Sequence, residues 1–170
     1  MHKMLTTAAL AAVAIFESAP AAAADVAGAF SSGRTQLVAS AGTGYAFNES
    51  YFVLGLGVSY YLLDGFNVGL SVESWTGSSP TMYKVTPSVQ YVFYQVPAVK
   101  PYVGAFYRRA YVDGLPDIDS AGGRAGIYVQ VGRNMFVGAG AVYESYLDCN
   151  KTIYSSCSST YGELSFTFAF

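Results

Sequence analysis

From Thr35 to Phe170 the apolar residues recur at every second position, in eight successive segments. A period of two is the strand period, because successive side chains leave a strand on opposite faces. The segments run over 35–47, 51–63, 66–76, 82–93, 101–112, 122–131, 135–146 and 160–170. In the second, Phe52, Leu54, Leu56, Val58 and Tyr60 alternate with Gly55, Gly57 and Ser59. In the third, Phe66, Val68, Leu70 and Val72 alternate with Asn67, Gly69, Ser71 and Glu73. Glycine recurring this often excludes helix, where each would be costly. Segments of about 9–11 residues with this pattern have the length of a transmembrane strand. An even number lets an antiparallel meander close without an unpaired edge, as lipid requires.

Composition points the same way. The chain of 170 residues is 52% hydrophobic and 12% charged, against an average of about 25% charged. Aromatics at 16% exclude disorder. No apolar run beyond residue 30 reaches the roughly 20 residues of a spanning helix. A net charge of −2 and a pI near 5.2 remove the electrostatic basis for nucleic-acid binding. The expectation is an all-β, eight-stranded antiparallel up-and-down transmembrane β-barrel over residues 35–170. A soluble lipocalin-like barrel also alternates, but it would turn the apolar face inward and the charges outward.

The proposed lipid face is layered. Tyr45, Phe47, Phe52, Tyr83, Tyr107, Tyr111 and Tyr143 fall near one end of their strands. Tyr60, Phe66, Tyr91, Phe93, Phe168 and Phe170 fall near the other, with aliphatic residues between. Two aromatic girdles around an aliphatic band match a membrane slab. Connections two, four and six (63–65, 94–100, 132–134) are short, as periplasmic turns are. Connections three, five and seven (77–81, 113–121, 147–159) are expected outside; the first, Asn48–Ser50, is expected outside although short.

Residues 1–24 have the layout of a secretory signal peptide. His2 and Lys3 precede an apolar stretch from Leu5 to Phe16, and Ala22 and Ala24 form an Ala-x-Ala cleavage pattern. Residues 25–34 are then expected as a periplasmic lead. Cleavage after Ala24 would remove His2, the sole histidine.

Six ionisable residues take the inward parity, one from each of segments three to eight: Glu73, Lys84, Arg108, Arg124, Glu144 and Glu163. Three acids and three bases balance, as burial in a narrow lumen demands. Strand adjacency suggests Glu144 with Arg124 and, more loosely, Glu73 with Lys84. Arg108 could join both, and Glu163 would close the group near Gln36 and Ser40. Cys149 and Cys157 share the last loop, and an oxidising periplasm favours a disulfide between them. Two cysteines without a histidine do not make a zinc site, and no cofactor is expected. Asp113, Asp117 and Asp119 lie beside Gly114 and Pro116 in turn-like sequence and are expected to be solvated rather than catalytic.

Three motifs carry a family resemblance. Phe166-x-Phe168-x-Phe170 resembles the C-terminal signal read by the outer-membrane insertion machinery. Lys100-Pro101-Tyr102-Val103-Gly104-Ala105-Phe106 resembles a strand start in outer membrane protein A-like barrels, and Phe136 to Tyr143 resembles a later strand of the same families. The chain as a whole is similar to the small eight-stranded barrels of the outer membrane protein A transmembrane domain, outer membrane protein X, Ail and opacity type. That resemblance implies a monomer in the outer membrane of a Gram-negative bacterium, in contact with lipid and lipopolysaccharide and handled by the insertion machinery during biogenesis. It implies architecture more than activity. The expected role is non-enzymatic, structural or adhesin-like, with any unidentified surface ligand at the outer loops. Hydrolytic and acyl-transferring barrels use a histidine relay, which a histidine-free mature chain cannot build. The alternative is a narrow porin-like channel whose lumenal ion pairs exchange partners. A carrier of apolar molecules is disfavoured by the six lumenal charges.

Overall fold

A computed structural model describes residues 28–46, 49–147, 149 and 157–170. The expected signal peptide lies outside the described residues. A single 3-10 turn, Gly28–Phe30, precedes eight strands: β1 (Thr35–Ala46), β2 (Glu49–Leu63), β3 (Phe66–Thr76), β4 (Met82–Val92), β5 (Val99–Val112), β6 (Ile118–Gly132), β7 (Met135–Tyr146) and β8 (Ser158–Ala169). Each pairs antiparallel with its sequence neighbour, and β8 closes onto β1. No helix of the described residues is long and apolar enough to cross a membrane.

The strands follow the alternation, with corrections at the hairpin tips. Residues 118–121 belong to β6 rather than to a loop, because the ladder continues through Arg109↔Asp119 and Ala110↔Ile118. Backbone pairing reaches past the apolar pattern there, and connection five shrinks to 113–117. Glu49 and Ser50 likewise pair with Ala46 and Tyr45, which leaves only 47–48 for the first connection.

Orientation of the faces decides between the two barrel types. Leu56 is 68% exposed on the outside, while Arg108 and Glu144 are each 2% exposed inside. A soluble barrel would reverse that order, so the lipocalin-like alternative is excluded. Of the expected girdle residues, Phe52, Tyr83, Tyr107, Tyr111 and Tyr143 are exposed near the long-loop end, and Tyr60, Phe93, Phe168 and Phe170 near the short-turn end. The side chains of Tyr45 and Phe47 lie outside the described residues.

Glycine alternation has a cause in the lumen. A Cβ on Gly126 would stand 2.7 Å from the Tyr102 hydroxyl, and one on Gly138 would stand 2.7 Å from the Tyr128 ring. The inward glycines make the space that the inward tyrosines fill.

Gly65 serves a different purpose. It takes φ +79° in the β2–β3 turn, a conformation that costs a glycine little. Its N–H donates to the Phe30 carbonyl, and its own carbonyl accepts from Val92 N–H, both at 2.8 Å. The turn therefore ties the N-terminal segment to the barrel end.

Leu56→Arg places a charge on the lipid face in the middle of β2 and should cost about 2–4 kcal/mol near the bilayer midplane. Urea titration of the protein folded in phospholipid vesicles reads this directly. A change below the error of the titration would argue that this face does not meet hydrocarbon.

Candidate functional site: the lumen

The lumen divides into layers. At the long-loop end, Tyr51, Trp75, Met82 and Val112 form a buried apolar cluster, with Val53 and Ile118 packed against it. These residues cover the β2–β6 side of that mouth.

Beneath that cluster lies a charged hub around Arg108 on β5. Its Nη2 donates to Glu73 Oε1 at 3.1 Å and its Nη1 to Glu144 Oε2 at 3.0 Å, so one side chain links β3, β5 and β7. The same Nη1 donates to Tyr161 Oη at 2.6 Å, and its Nε donates to Thr86 Oγ1 at 3.0 Å. Tyr161 Oη in turn donates to Glu144 Oε2 at 3.1 Å, and Ser120 Oγ donates to Glu144 Oε1 at 2.6 Å. Trp75 Nε1 donates to Glu73 Oε2 at 3.3 Å. Lys84 sets its ammonium 3.5 Å above the centroid of the Trp75 ring.

A second pair lies nearer the short-turn end. Arg124 Nη1 approaches Glu163 Oε2 at 3.3 Å, and Tyr102 Oη donates to Glu163 Oε1 at 3.4 Å. The Phe106 ring separates the two levels. Arg108 and Arg124 place their guanidinium carbons 4.9 and 5.2 Å from its centroid. An aromatic face accepts both cations where direct approach would be repulsive.

All six expected lumenal charges therefore face inward, and Arg108 joins both Glu144 and Glu73 as expected, but the two direct pairs do not form. Glu144 pairs with Arg108 rather than Arg124. In the β6–β7 register Arg124 stands opposite Val142, while Glu144 stands opposite Gly122, which places the two charges at different heights. Glu73 and Lys84 are ladder partners, yet Glu73 takes Arg108 and Lys84 takes Trp75. Glu163 binds Arg124 rather than simply closing the group against β1.

The short-turn mouth is closed by the N-terminal segment, which departs from the expected plain lead. Phe30 is 1% exposed and packs into Tyr61, Tyr128 and Phe136, with its ring centroid 4.8 Å from that of Phe136. Tyr102 stacks on Tyr128 at 4.5 Å just inside. Besides the Gly65 bond, Gln36 Nε2 donates to Ala29 O at 3.4 Å, and Ser32 N–H donates to Asp64 Oδ1 at 2.8 Å. Sequence reasoning missed Phe30 and left the inward aromatics at the strand ends unassigned. For Tyr51, Tyr61, Trp75, Tyr102 and Phe136 the signal was present: each shares parity with the lumenal glycines or Glu73 on its own strand. Phe30 precedes the alternating region, so no such signal existed for it.

Between the layers, a polar cavity of about 70 Å³ runs along the β1–β4 wall. Ser40, Ser59, Ser71, Ser88 and Gln90 line it, with Arg124 and Glu163 across from them. It has room for a few waters. No cluster of His, Cys, Asp or Glu among the described residues could hold a metal. On the outside, Arg109 pairs with Asp117 at 3.0 Å and, more loosely, with Asp119 at 3.9 Å. Cys149 and Cys157 are joined as a disulfide. The side chains of Phe166, Phe168 and Phe170 face outward and are exposed, Phe168 least.

Arg108→Met leaves Glu73 and Glu144 buried beside one remaining cation and should cost about 3–5 kcal/mol. Adding Glu73→Gln and Glu144→Gln should recover most of that loss. Arg109→Gln, which breaks an exposed and solvent-screened pair, should leave the midpoint almost unchanged. Urea midpoints of the refolded variants test the set; equal losses at Arg108 and Arg109 would refute the hub.

The sequence matches no family description and no curated protein at a significant level. Solved structures do match. The N-terminal β-barrel domain of Pseudomonas aeruginosa OprF superposes with a TM-score of 0.65 at 17% identity, covering 82% of this chain and 98% of that one. Neisserial surface protein A gives a TM-score of 0.53 at 21% identity, covering 80% and 94%. The outer membrane protein OprG of Pseudomonas aeruginosa gives a TM-score of 0.45 at 13% identity, covering 82% and 97%. With its closed antiparallel meander, exposed apolar belt and charged lumen, the chain has the fold of the small eight-stranded barrels of bacterial outer membranes.

Proposed function

We propose that this protein is a non-enzymatic, obstructed-lumen barrel of the outer membrane, acting as a structural element that presents its loops at the cell surface. The obstructed lumen carries this reading: an apolar layer fills the short-turn mouth, an apolar cluster covers one side of the other, and a paired charge network crosses the middle. The barrel acts as a rigid anchor, and whatever it meets outside is met by 77–81, 113–117 and the loop after Tyr146. The two better-matching solved structures are barrels of the same kind, one of them named a surface protein.

A narrow channel is the second reading, favoured by the polar cavity beside Arg124 and Glu163. To conduct, the cavity would have to open through Phe30 at one end and the Tyr51–Trp75 cluster at the other. A carrier of apolar molecules has less support, since Glu73, Arg124 and Glu163 all line the cavity.

Planar-bilayer recordings separate the first two. The obstructed lumen should give no discrete openings in the unmodified protein, and well-resolved steps would sink it in favour of the channel. Phe30→Ala alone should also stay silent, because the outer cluster remains. The surface role has its own check: replacing 77–81, 113–117 and 147–157 with tight turns should leave folding intact and abolish attachment of expressing cells to matrix-coated surfaces. Attachment unchanged by the replacement would remove the adhesive part.

A further inference from the structure

The β1–β8 seam is paired over only part of its length. Thr35 N–H donates to Phe170 O at 3.4 Å and Phe170 N–H to Thr35 O at 2.9 Å, and the ladder then runs from Gln36↔Ala169 to Ser40↔Ser165. The same register continued would add Ala41↔Leu164, Gly42↔Glu163 and Thr43↔Gly162, and none of these pairs is made among the described residues. Both strands are present at that height, since β1 stays paired with β2 through Ala46 and β8 with β7 from Ser158. Above Ser40 and Ser165 the wall therefore forks. Side chains agree with the backbone. Ala41, Gly42 and Thr43 are exposed in succession, which breaks the alternation of faces. A Cβ on Gly42, of inward parity, would meet nothing within 4 Å among the described residues, whereas one on Gly104 in the paired wall would stand 2.8 Å from Val89 O.

The fork reaches membrane depth. Thr43 stands opposite Phe52 and Thr160 opposite Tyr143, both exposed girdle residues, so Ala41 and Leu164 lie on the hydrocarbon side of that girdle. Along an antiparallel ladder every second residue turns its N–H and C=O to the same neighbour. Counted from Thr35 and Phe170, the residues that turn theirs into the fork are Ala41, Thr43, Gly162 and Leu164. Lipid cannot satisfy those groups, and water can. Directly behind the fork lies the polar cavity of about 70 Å³, lined by Ser40, Ser165 and Glu163, the residues that flank the point where the ladder stops. The two charge levels differ accordingly. Arg124 and Glu163 have side chains 18% and 17% exposed, against 2% and 3% for Arg108 and Glu144.

We propose that the outer part of the β1–β8 seam is a side entrance through which water and small uncharged polar solutes reach the Arg124–Glu163 pair. The entrance leads into a blind pocket, because the Phe30–Tyr128–Phe136 stack fills the barrel below it. The lining selects the solute. Ser40, Ser59, Ser71, Ser88 and Gln90 offer hydrogen-bond donors and acceptors. Arg124 and Glu163 already balance each other, so an entering ion would be buried without a counter-charge.

Two measurements on the full barrel in phospholipid nanodiscs test the entrance. In the unmodified protein, backbone amides of Ala41, Thr43, Gly162 and Leu164 should exchange about a hundredfold or more faster than those of Leu37, Ala39, Phe166 and Phe168, which face the paired part of the seam. Equal protection in the two sets would show a seam zipped throughout and overturn the entrance. In the second measurement Ser40→Cys supplies the reactive thiol, Cys149 and Cys157 being tied as a disulfide. It should be labelled by the uncharged polar reagent hydroxyethyl methanethiosulfonate. Gly42→Trp, which sets an indole in the open space of the fork, should remove most of that labelling, and Gly42→Leu serves if the tryptophan variant folds poorly. No labelling of Ser40→Cys would overturn the entrance. Labelling unchanged by either Gly42 substitution would overturn it too, by assigning access to the outer mouth.

Discussion

The interior depends on one cation that has no access to water. Arg108, 2% exposed, keeps its charge inside the barrel, so its burial is tolerable only if the guanidinium finds acceptors for its N–H groups. It finds two carboxylates, a phenol and a threonine hydroxyl, drawn from four other strands. That requirement explains much of its surroundings. Glu144 needs Ser120 and Tyr161 to satisfy its remaining lone pairs, and Glu73 takes Trp75. Each strand supplying a partner is thereby held in register with β5, in addition to its ladder bonds. The hub is a cross-brace for a cylinder whose wall is otherwise joined only to its neighbours.

Charge in the middle also explains the apolar layers at the ends. A polar network in a low-dielectric interior is strong only while water is kept from competing. The Tyr51–Trp75 cluster does this on one side, and the Phe30–Tyr128–Phe136 stack on the other. Phe30 is not part of the wall. It is brought in by a short turn and held by Gly65, Gln36 and Asp64, so the plug and the barrel are separately built parts of one seal. The serine-lined cavity along β1–β4 is what the long side chains of the other strands leave unfilled.

Much of this was legible in the residues. The alternation from Thr35 to Phe170 located all eight strands, and the parity of Glu73, Lys84, Arg108, Arg124, Glu144 and Glu163 put them in the lumen. The direct pairs were not legible. A shift of two residues in the β6–β7 register moves Arg124 away from Glu144, and alternation is blind to a shift of two because parity is unchanged. The strand tips escaped for a related reason: Asp119 and Ser120 carry no apolar signal, yet the ladder includes them.

What the sequence alone determined is therefore the architecture and its solvent: strands of period two, too few charges for a water-exposed surface, and aromatics gathered at the ends of the apolar faces. These are local or compositional properties, and each can be counted along the chain. What only the tertiary structure decided is which charges meet, what plugs the lumen and how far the β1–β8 seam is paired. Those depend on how a tilted sheet closes on itself, which sets β8 between β1 and β7 and lets Arg108 reach across to strands on either side. Distances across a closed barrel follow from register and curvature, and neither is written at any single position.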